Sequence, residues 1–222
     1  MGAIAYQASD FGPTYPHDLF ERIANDLRGK GYSIQPQAIP PHLVWQLTTQ
    51  VRQIDDEFAP AGVGRRDDFQ RNQFIRRDEI CWINGDTATG QSWLDWTAQL
   101  QQFLNRRLFL GLFSFESHYA HYAPGDFYKR HYDAFRGQAN RVLTVVAYLN
   151  GDWQSDEGGE MVLYLDDTDQ QGIKVLPALG TVAIFLSEEF PHEVLCAKRH
   201  RYSIAGWYRL NNSLAGRIDP PR

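Results

Sequence analysis

The hydrophobic rhythm of this chain changes once, near residue 110, and that change decides the architecture. Downstream of it the segments GLFSFESHYAHY, NRVLTVVAYLN, EMVLYL, IKVLPA, GTVAIFL, HEVLCA and RYSIAGWYRL are short, rich in β-branched or aromatic residues, and separated by Gly, Asp, Pro or Asn. This spacing predicts antiparallel meanders or Greek keys closing into a jelly-roll barrel, with GDWQSDEGGE and LDDTDQQG as turns. Upstream the period is helical. Leu19, Ile23 and Leu27 recur between Pro16 and Gly31, and Leu43, Leu47, Val51 and Ile54 follow Pro40 and Pro41. Trp93, Trp96, Leu100, Phe103 and Leu104 predict a third helix after the turn-like GDTATG. Ile80, Cys81, Trp82 and Ile83 read as an earlier strand, and residues 60–77, rich in Gly, Arg, Asp and Gln, as a long mobile loop. The expected fold is mainly β with N-terminal helices. Residues 1–110 supply helical support and a substrate loop, and residues 111–210 form a barrel core buttressed by about three helices.

A chain of 222 residues, 43% of them hydrophobic, can bury one sizeable core, so residues 1–222 are read as a single domain. No stretch reaches the roughly 18 to 20 apolar residues of a membrane span, and the start MGAIAYQASDFG lacks a secretory pattern. A soluble, cytoplasmic monomer is expected. The net charge of -5 argues against a broad phosphate-binding surface and hence against nucleic acid as partner. Cys81 and Cys196 lie in apolar strand-like runs without a CxxC motif, and are expected to be small buried hydrophobes.

His131, Tyr132 and Asp133 form a His-x-Asp step. On a strand, alternate side chains share a face, so His131 and Asp133 would project together. Alone, such a step also reads as a satisfied strand histidine. His192 changes the weight: it lies 59 positions after Asp133 (192 minus 133), directly after Pro191 at the exit of TVAIFL. That gap holds several strands. Two imidazoles and one carboxylate on one triangular face leave the opposite coordination positions open, the arrangement of non-haem Fe(II) oxygen chemistry. Arg201 follows nine residues later and opens a strand with Arg201, Ser203, Ala205 and Trp207 facing one way, and Tyr202, Ile204 and Tyr208 the other. On a surface Arg201 would be an ion pair or an edge gatekeeper. Inside a barrel its guanidinium needs an anion, which a dicarboxylate supplies: the far carboxylate accepts a two-pronged hydrogen bond while a 2-oxo acid end chelates iron.

Taken together, HYD, PH and an Arg nine residues on resemble the signature of the 2-oxoglutarate and Fe(II)-dependent dioxygenases, a family built on a double-stranded β-helix. Over about residues 75–210, the segments IRRDEICWI, HYAPGDFYKRHYD, RVLTVVAYLN, DW, GGEMVLY, PHEV and RYSIAGWY are similar to the hypoxia-inducible-factor prolyl hydroxylases of animals, the EGL-nine branch. A prokaryotic-type prolyl hydroxylase is what the resemblance implies. It assigns Fe(II) to His131, Asp133 and His192, and the distal carboxylate of 2-oxoglutarate to Arg201 and Tyr148. Tyr122 would bond the same co-substrate. Arg76 and Asp78 would pair in the loop that shapes substrate access, and Trp82, Arg141 and Trp207 would border the prolyl pocket. Ala205 stands where the family often has a hydroxyl-bearing residue, and His118 where an apolar one is expected.

The implied reaction hydroxylates a prolyl residue, at C4, in an exposed proline-containing loop of an intracellular protein. It consumes 2-oxoglutarate and O2, yields succinate and CO2, and is supported by ascorbate. Other readings stand beside it. A non-catalytic cupin-like module would hold a metal or sugar, and an oxygenase could act on a free amino acid or on alkylated nucleic acid. The nucleic-acid family usually carries a second Arg where this chain has Trp207. Tyr122 and Tyr148 could be barrel packing, Trp82 and Trp207 core aromatics, and Arg76–Asp78 an exposed pair of little energetic value. Glu188, Glu189 and Glu193 read as solvated loop charges. His118 and His121, three positions apart, would occupy opposite strand faces.

Overall fold

The helical stripes become α1 (Tyr15–Lys30), α2 (Pro41–Gln53) and α3 (Ala88–Leu108) in the computed structural model, which describes residues 15–61, 74–134 and 140–211. Pro41 occupies the first turn of α2, where a missing N–H costs nothing. Thr87 caps α3 by accepting a hydrogen bond from the Gly90 amide at 3.0 Å. The GDTATG segment is thus only partly a turn: its last three residues already belong to α3.

Eleven strands follow from the alternating pattern among the described residues: β1 (Tyr32–Gln35), β2 (Ala59–Pro60), β3 (Glu79–Ile83), β4 (Ser114–Tyr122), β5 (Tyr128–His131), β6 (Arg141–Tyr148), β7 (Met161–Leu163), β8 (Ile173–Val175), β9 (Val182–Leu186), β10 (His192–Val194) and β11 (Arg201–Arg209). They form two antiparallel sheets, one ordered β1-β9-β6-β11-β4-β3-β2 and one ordered β5-β10-β7-β8. This is the expected jelly-roll type of fold with three helices against it. The first 110 residues give it more than helices, because β1, β2 and β3 complete the larger sheet. The segments EMVLYL, IKVLPA and HEVLCA shorten to three paired residues each.

Period-two alternation sorts the larger sheet's side chains. Leu143, Val145 and Ala147 of β6, Ile184 of β9, and Ile204 and Tyr208 of β11 pack with Ile23, Leu47, Trp93 and Leu100 of the helices. Val146 and Tyr148 face the other way, into a second cluster with Met161, Leu163, Val175, Phe185 and Phe190. That inner face is where the site lies.

Neither cysteine is a buried hydrophobe. Cys81 is half-buried near the sheet edge and approaches Glu57, while Cys196 lies beyond the end of β10 and is exposed; both are free thiols. Among the described residues no helix is long and apolar enough to cross a membrane. Of the expected mobile loop, residues 62–73 lie outside the described residues. Its flanks are tied down, with Ala59–Pro60 paired to β3 and Arg76 bridged to Tyr128.

The turn before β7 depends on Gly158, whose φ is +68° and whose missing side chain is filled by the Cys196 carbonyl oxygen, 2.3 Å from where a Cβ would sit. Gly158→Ala should therefore cost about 2 kcal/mol or more. Thermal denaturation checks this, and an unchanged midpoint would contradict it.

Candidate active site

Antiparallel pairing of β10 with β5 sets His192 directly opposite His131, with ring centroids 4.3 Å apart. Asp133 joins them by a different route from the one its spacing suggests. The strand ends at His131, and Asp133 returns to the pair through the bend that follows. Its Oδ1 lies 3.7 Å from His131 Nε2 and its Oδ2 3.5 Å from His192 Nε2. These separations are too long for direct hydrogen bonds but suit an ion between the groups. One ligand atom from each residue falls within 4.8 Å of the others, and among the described residues no other such group of three forms.

Each imidazole is oriented from behind. His131 Nδ1 donates to the Lys129 carbonyl at 2.7 Å and His192 Nδ1 to the Phe190 carbonyl at 3.2 Å, so both Nε2 lone pairs turn toward Asp133. Burial and the adjacent His131 hold the His192 imidazole down at about 4, against the pull of Asp133. Burial opposes ionisation of Asp133, but the adjacent His192 and His131 imidazoles and more distant Arg141 keep its carboxyl well below the usual range. Thr144 Oγ1 donates to Asp133 Oδ2 at 2.8 Å and is itself bonded to Ser187 Oγ at 2.9 Å. Phe185 and Tyr128 wall the pair, 4.8 Å from the His192 ring and 3.6 Å from the His131 ring.

Arg201 opens β11 on the same inner face and is 1% exposed. Nε donates to the Gly159 carbonyl at 2.8 Å and Nη1 to Ser203 Oγ at 3.1 Å. Among the described residues no carboxylate lies within ion-pair reach of it. A buried guanidinium without a counter-ion is an anion site. Its central carbon lies 4.8 Å from the Tyr122 ring and 5.2 Å from the Tyr148 ring. Burial raises the Tyr148 phenol to about 12, with Arg201 pulling the other way, and its hydroxyl has no hydrogen-bond partner among the described residues. Burial lifts the Tyr122 phenol as well. Both rings are packed and both remain neutral donors, so barrel packing and ligand contact are compatible roles.

Of the residues assigned to the substrate, Trp82, Arg141 and Trp207 lie on β3, β6 and β11 of the larger sheet, whereas Arg76 and Asp78 precede β3. Trp82, His118 and Ala205 are register partners across β3, β4 and β11, and Trp207 pairs with Glu116 and Thr144. Trp82 is 55% exposed and thus a rim residue, while Trp207 is buried. Arg141 stacks over Trp207 at 3.6 Å and pairs with Glu116 at 2.9 Å. In the Arg76–Asp78 pair Asp78 is buried and Arg76 half-buried, in contrast to the exposed pair the sequence allowed, with contacts of 2.7 and 2.5 Å and the guanidinium 4.3 Å from the Tyr128 ring. Glu193 is also no loop charge: it sits on β10, half-buried, and accepts a hydrogen bond from the Tyr164 hydroxyl. His121 faces away from His118, stacked on Tyr202 and bonded to His200 at 2.8 Å. Sequence reasoning missed Thr144, Ser187, Gly159 and Tyr128. Alternation along β6 brings Thr144 to the face of Val146 and Tyr148, which was its available signal.

Residues 117–209 match the 2OG-Fe(II) oxygenase superfamily. A solved prolyl-4-hydroxylase of Pseudomonas putida is 37% identical, with a TM-score of 0.77 over 86% of this chain and 99% of that one. A Trichoplax adhaerens prolyl hydroxylase, solved with a hypoxia-inducible-factor oxygen degradation domain peptide fragment, is 27% identical, with a TM-score of 0.78 over 87% and 90% of the two chains. Egl nine homolog 1 of Rattus norvegicus is 33% identical over 85 residues, 38% of this chain and 25% of that relative, so the match spans about a quarter of its length.

Proposed function

The chain belongs to the 2OG-Fe(II) oxygenase superfamily, and on that premise we propose that it hydroxylates a prolyl residue of a protein substrate, at C4, converting 2-oxoglutarate and O2 to succinate and CO2. One observation carries the reading. A buried Arg201, with no carboxylate partner among the described residues, shares an inner barrel face with a His131–Asp133–His192 cluster whose facing atoms are spaced for an ion. A simple metal-holding module needs the cluster and has no use for the guanidinium.

His131, Asp133 and His192 would hold Fe(II), a donor set suited to that metal that leaves positions for other ligands. Bound there, iron supplies the redox chemistry that couples O2 to oxidative loss of CO2 from the 2-oxo acid. The protein's own groups bind and orient. Arg201 takes the distal carboxylate of 2-oxoglutarate through its unused edge, Tyr148 donates its unpartnered hydroxyl, and Tyr122 closes the other side. Trp82, Trp207 and Arg141 form an aromatic and cationic wall for the target ring, and Arg76–Asp78 fixes the end of the access loop beside Tyr128. Packing by Phe185 and Tyr128 keeps bulk water from the ligands. We further propose that residues 1–222 act as one domain, as a cytoplasmic monomer, on an exposed proline-containing loop, with ascorbate sustaining activity.

Thr144→Val removes the hydrogen bond to Asp133 and should weaken Fe(II) binding about 10- to 100-fold. Metal titration reads this, and unchanged affinity would remove Thr144 from the site.

The test of function is mass spectrometry of cell protein before and after incubation with enzyme, Fe(II), ascorbate and 2-oxoglutarate. A gain of one oxygen localised to proline is expected. Modification confined to another residue type would overturn the substrate assignment.

A further inference from the structure

The sequence singled out His118 as out of place, and its surroundings give it work. It lies on β4 facing inward, its ring between Trp82 at 5.2 Å and Trp207 at 5.5 Å. Its Nδ1 is 3.1 Å from the Tyr119 carbonyl oxygen, which can only accept. Nδ1 therefore carries the proton. Burial, with smaller contributions from Arg76 and Arg141, lowers the imidazole to about 4 despite Asp78 and the Tyr119 carbonyl, so the ring is neutral and Nε2 is a bare lone pair. Among the described residues no donor reaches Nε2.

Space adjoins it. Ala205 pairs with His118 on one side and Val146 on the other, in mid-sheet, yet is partly exposed. Its neighbours Ile204 and Tyr208 point into the helical core, so that exposure opens on the inner face, beside His118. A larger residue at position 205 would close the gap.

We propose that His118 is a specificity-determining residue whose Nε2 accepts a hydrogen bond from the backbone N–H of the residue following the target proline. The inference rests on the prolyl hydroxylase reading. A buried acceptor left unpaired by a bound ligand is costly, so a substrate that fits must bring a donor. The pyrrolidine ring of a prolyl residue has only C–H bonds to offer. The N–H of the next residue is the first donor on its C-terminal side, a few bonds from a ring set against the wall that Trp82, His118 and Trp207 form.

The test uses a synthetic peptide spanning a proline hydroxylated in cell extract, and its analogue in which the amide after that proline is an ester, which removes one N–H. Failure to find any hydroxylated proline in the extract would refute the function itself, a result distinct from those that follow. Wild-type enzyme should prefer the amide peptide by about tenfold in kcat/KM, and His118→Met should show no preference, so that the comparison cancels the intrinsic difference between ester and amide. His118→Leu serves as a second apolar variant if Met does not fold. His118→Gln, which retains an acceptor, should regain part of the preference. Equal discrimination by wild type and His118→Met, or none by wild type, overturns the proposal. So does a product hydroxyl that inhibits wild type but not His118→Met while the ester is turned over as fast as the amide.

Discussion

Asp133→Ala is expected to abolish Fe(II)-dependent succinate formation, lowering turnover by about a thousandfold or more, a loss of at least about 4 kcal/mol of transition-state stabilisation. Asp133 is the only anionic member of the cluster, so its removal leaves two neutral imidazoles to hold a divalent ion. The fold should survive. Asp133 lies beyond the end of β5, and Thr144 keeps its bond to Ser187 when the carboxylate is gone. Succinate measured by NMR, alongside circular dichroism, separates lost chemistry from lost structure. His131→Ala should behave alike, and intact succinate formation in either variant would show that the ion sits elsewhere.

Arg201→Ala should raise the KM for 2-oxoglutarate by about 30-fold or more, as expected when a buried charged pair loses one partner at about 2 to 5 kcal/mol. Fe(II) binding should change little, because Arg201 touches Gly159 and Ser203 and none of the three ligands. Arg201→Lys should not restore affinity. Lysine cannot hold Gly159 and Ser203 while presenting a flat two-pronged edge to a carboxylate. Steady-state kinetics with varied 2-oxoglutarate reads the effect, and an unaltered KM would strip Arg201 of its assigned role.

The site's members were more legible in the chain than the path that joins them. His131, His192 and Arg201 were recognisable because residue type, spacing and β-prone surroundings agreed, and the pairing of β10 with β5 brings the two histidines opposite each other. The same-face argument for Asp133 failed because a single sequence does not mark where a strand stops, and this one stops at His131. Cys196 is exposed for the same reason: the run is apolar from Val194 to Ala197 and reads as continuing strand, but β10 pairs only as far as Val194. Short strands such as β1 and β2 carry too few alternating residues to stand out from a loop. The burial of Arg76–Asp78 arises from a tertiary contact with Tyr128, about 50 residues away, which no local pattern encodes. Thr144 was hidden by its own blandness, since a threonine in a strand is ordinary until a carboxylate arrives from another element.

Anaerobic titration of the Fe(II)-loaded protein with 2-oxoglutarate tests the central claim most directly. Chelation of the ferrous ion held by His131, Asp133 and His192 should produce a weak visible charge-transfer band that saturates with 2-oxoglutarate, requires much higher concentrations in Arg201→Ala, and is absent in Asp133→Ala. A spectrum unchanged by 2-oxoglutarate, or a band that persists at the same concentrations in both variants, would contradict the account.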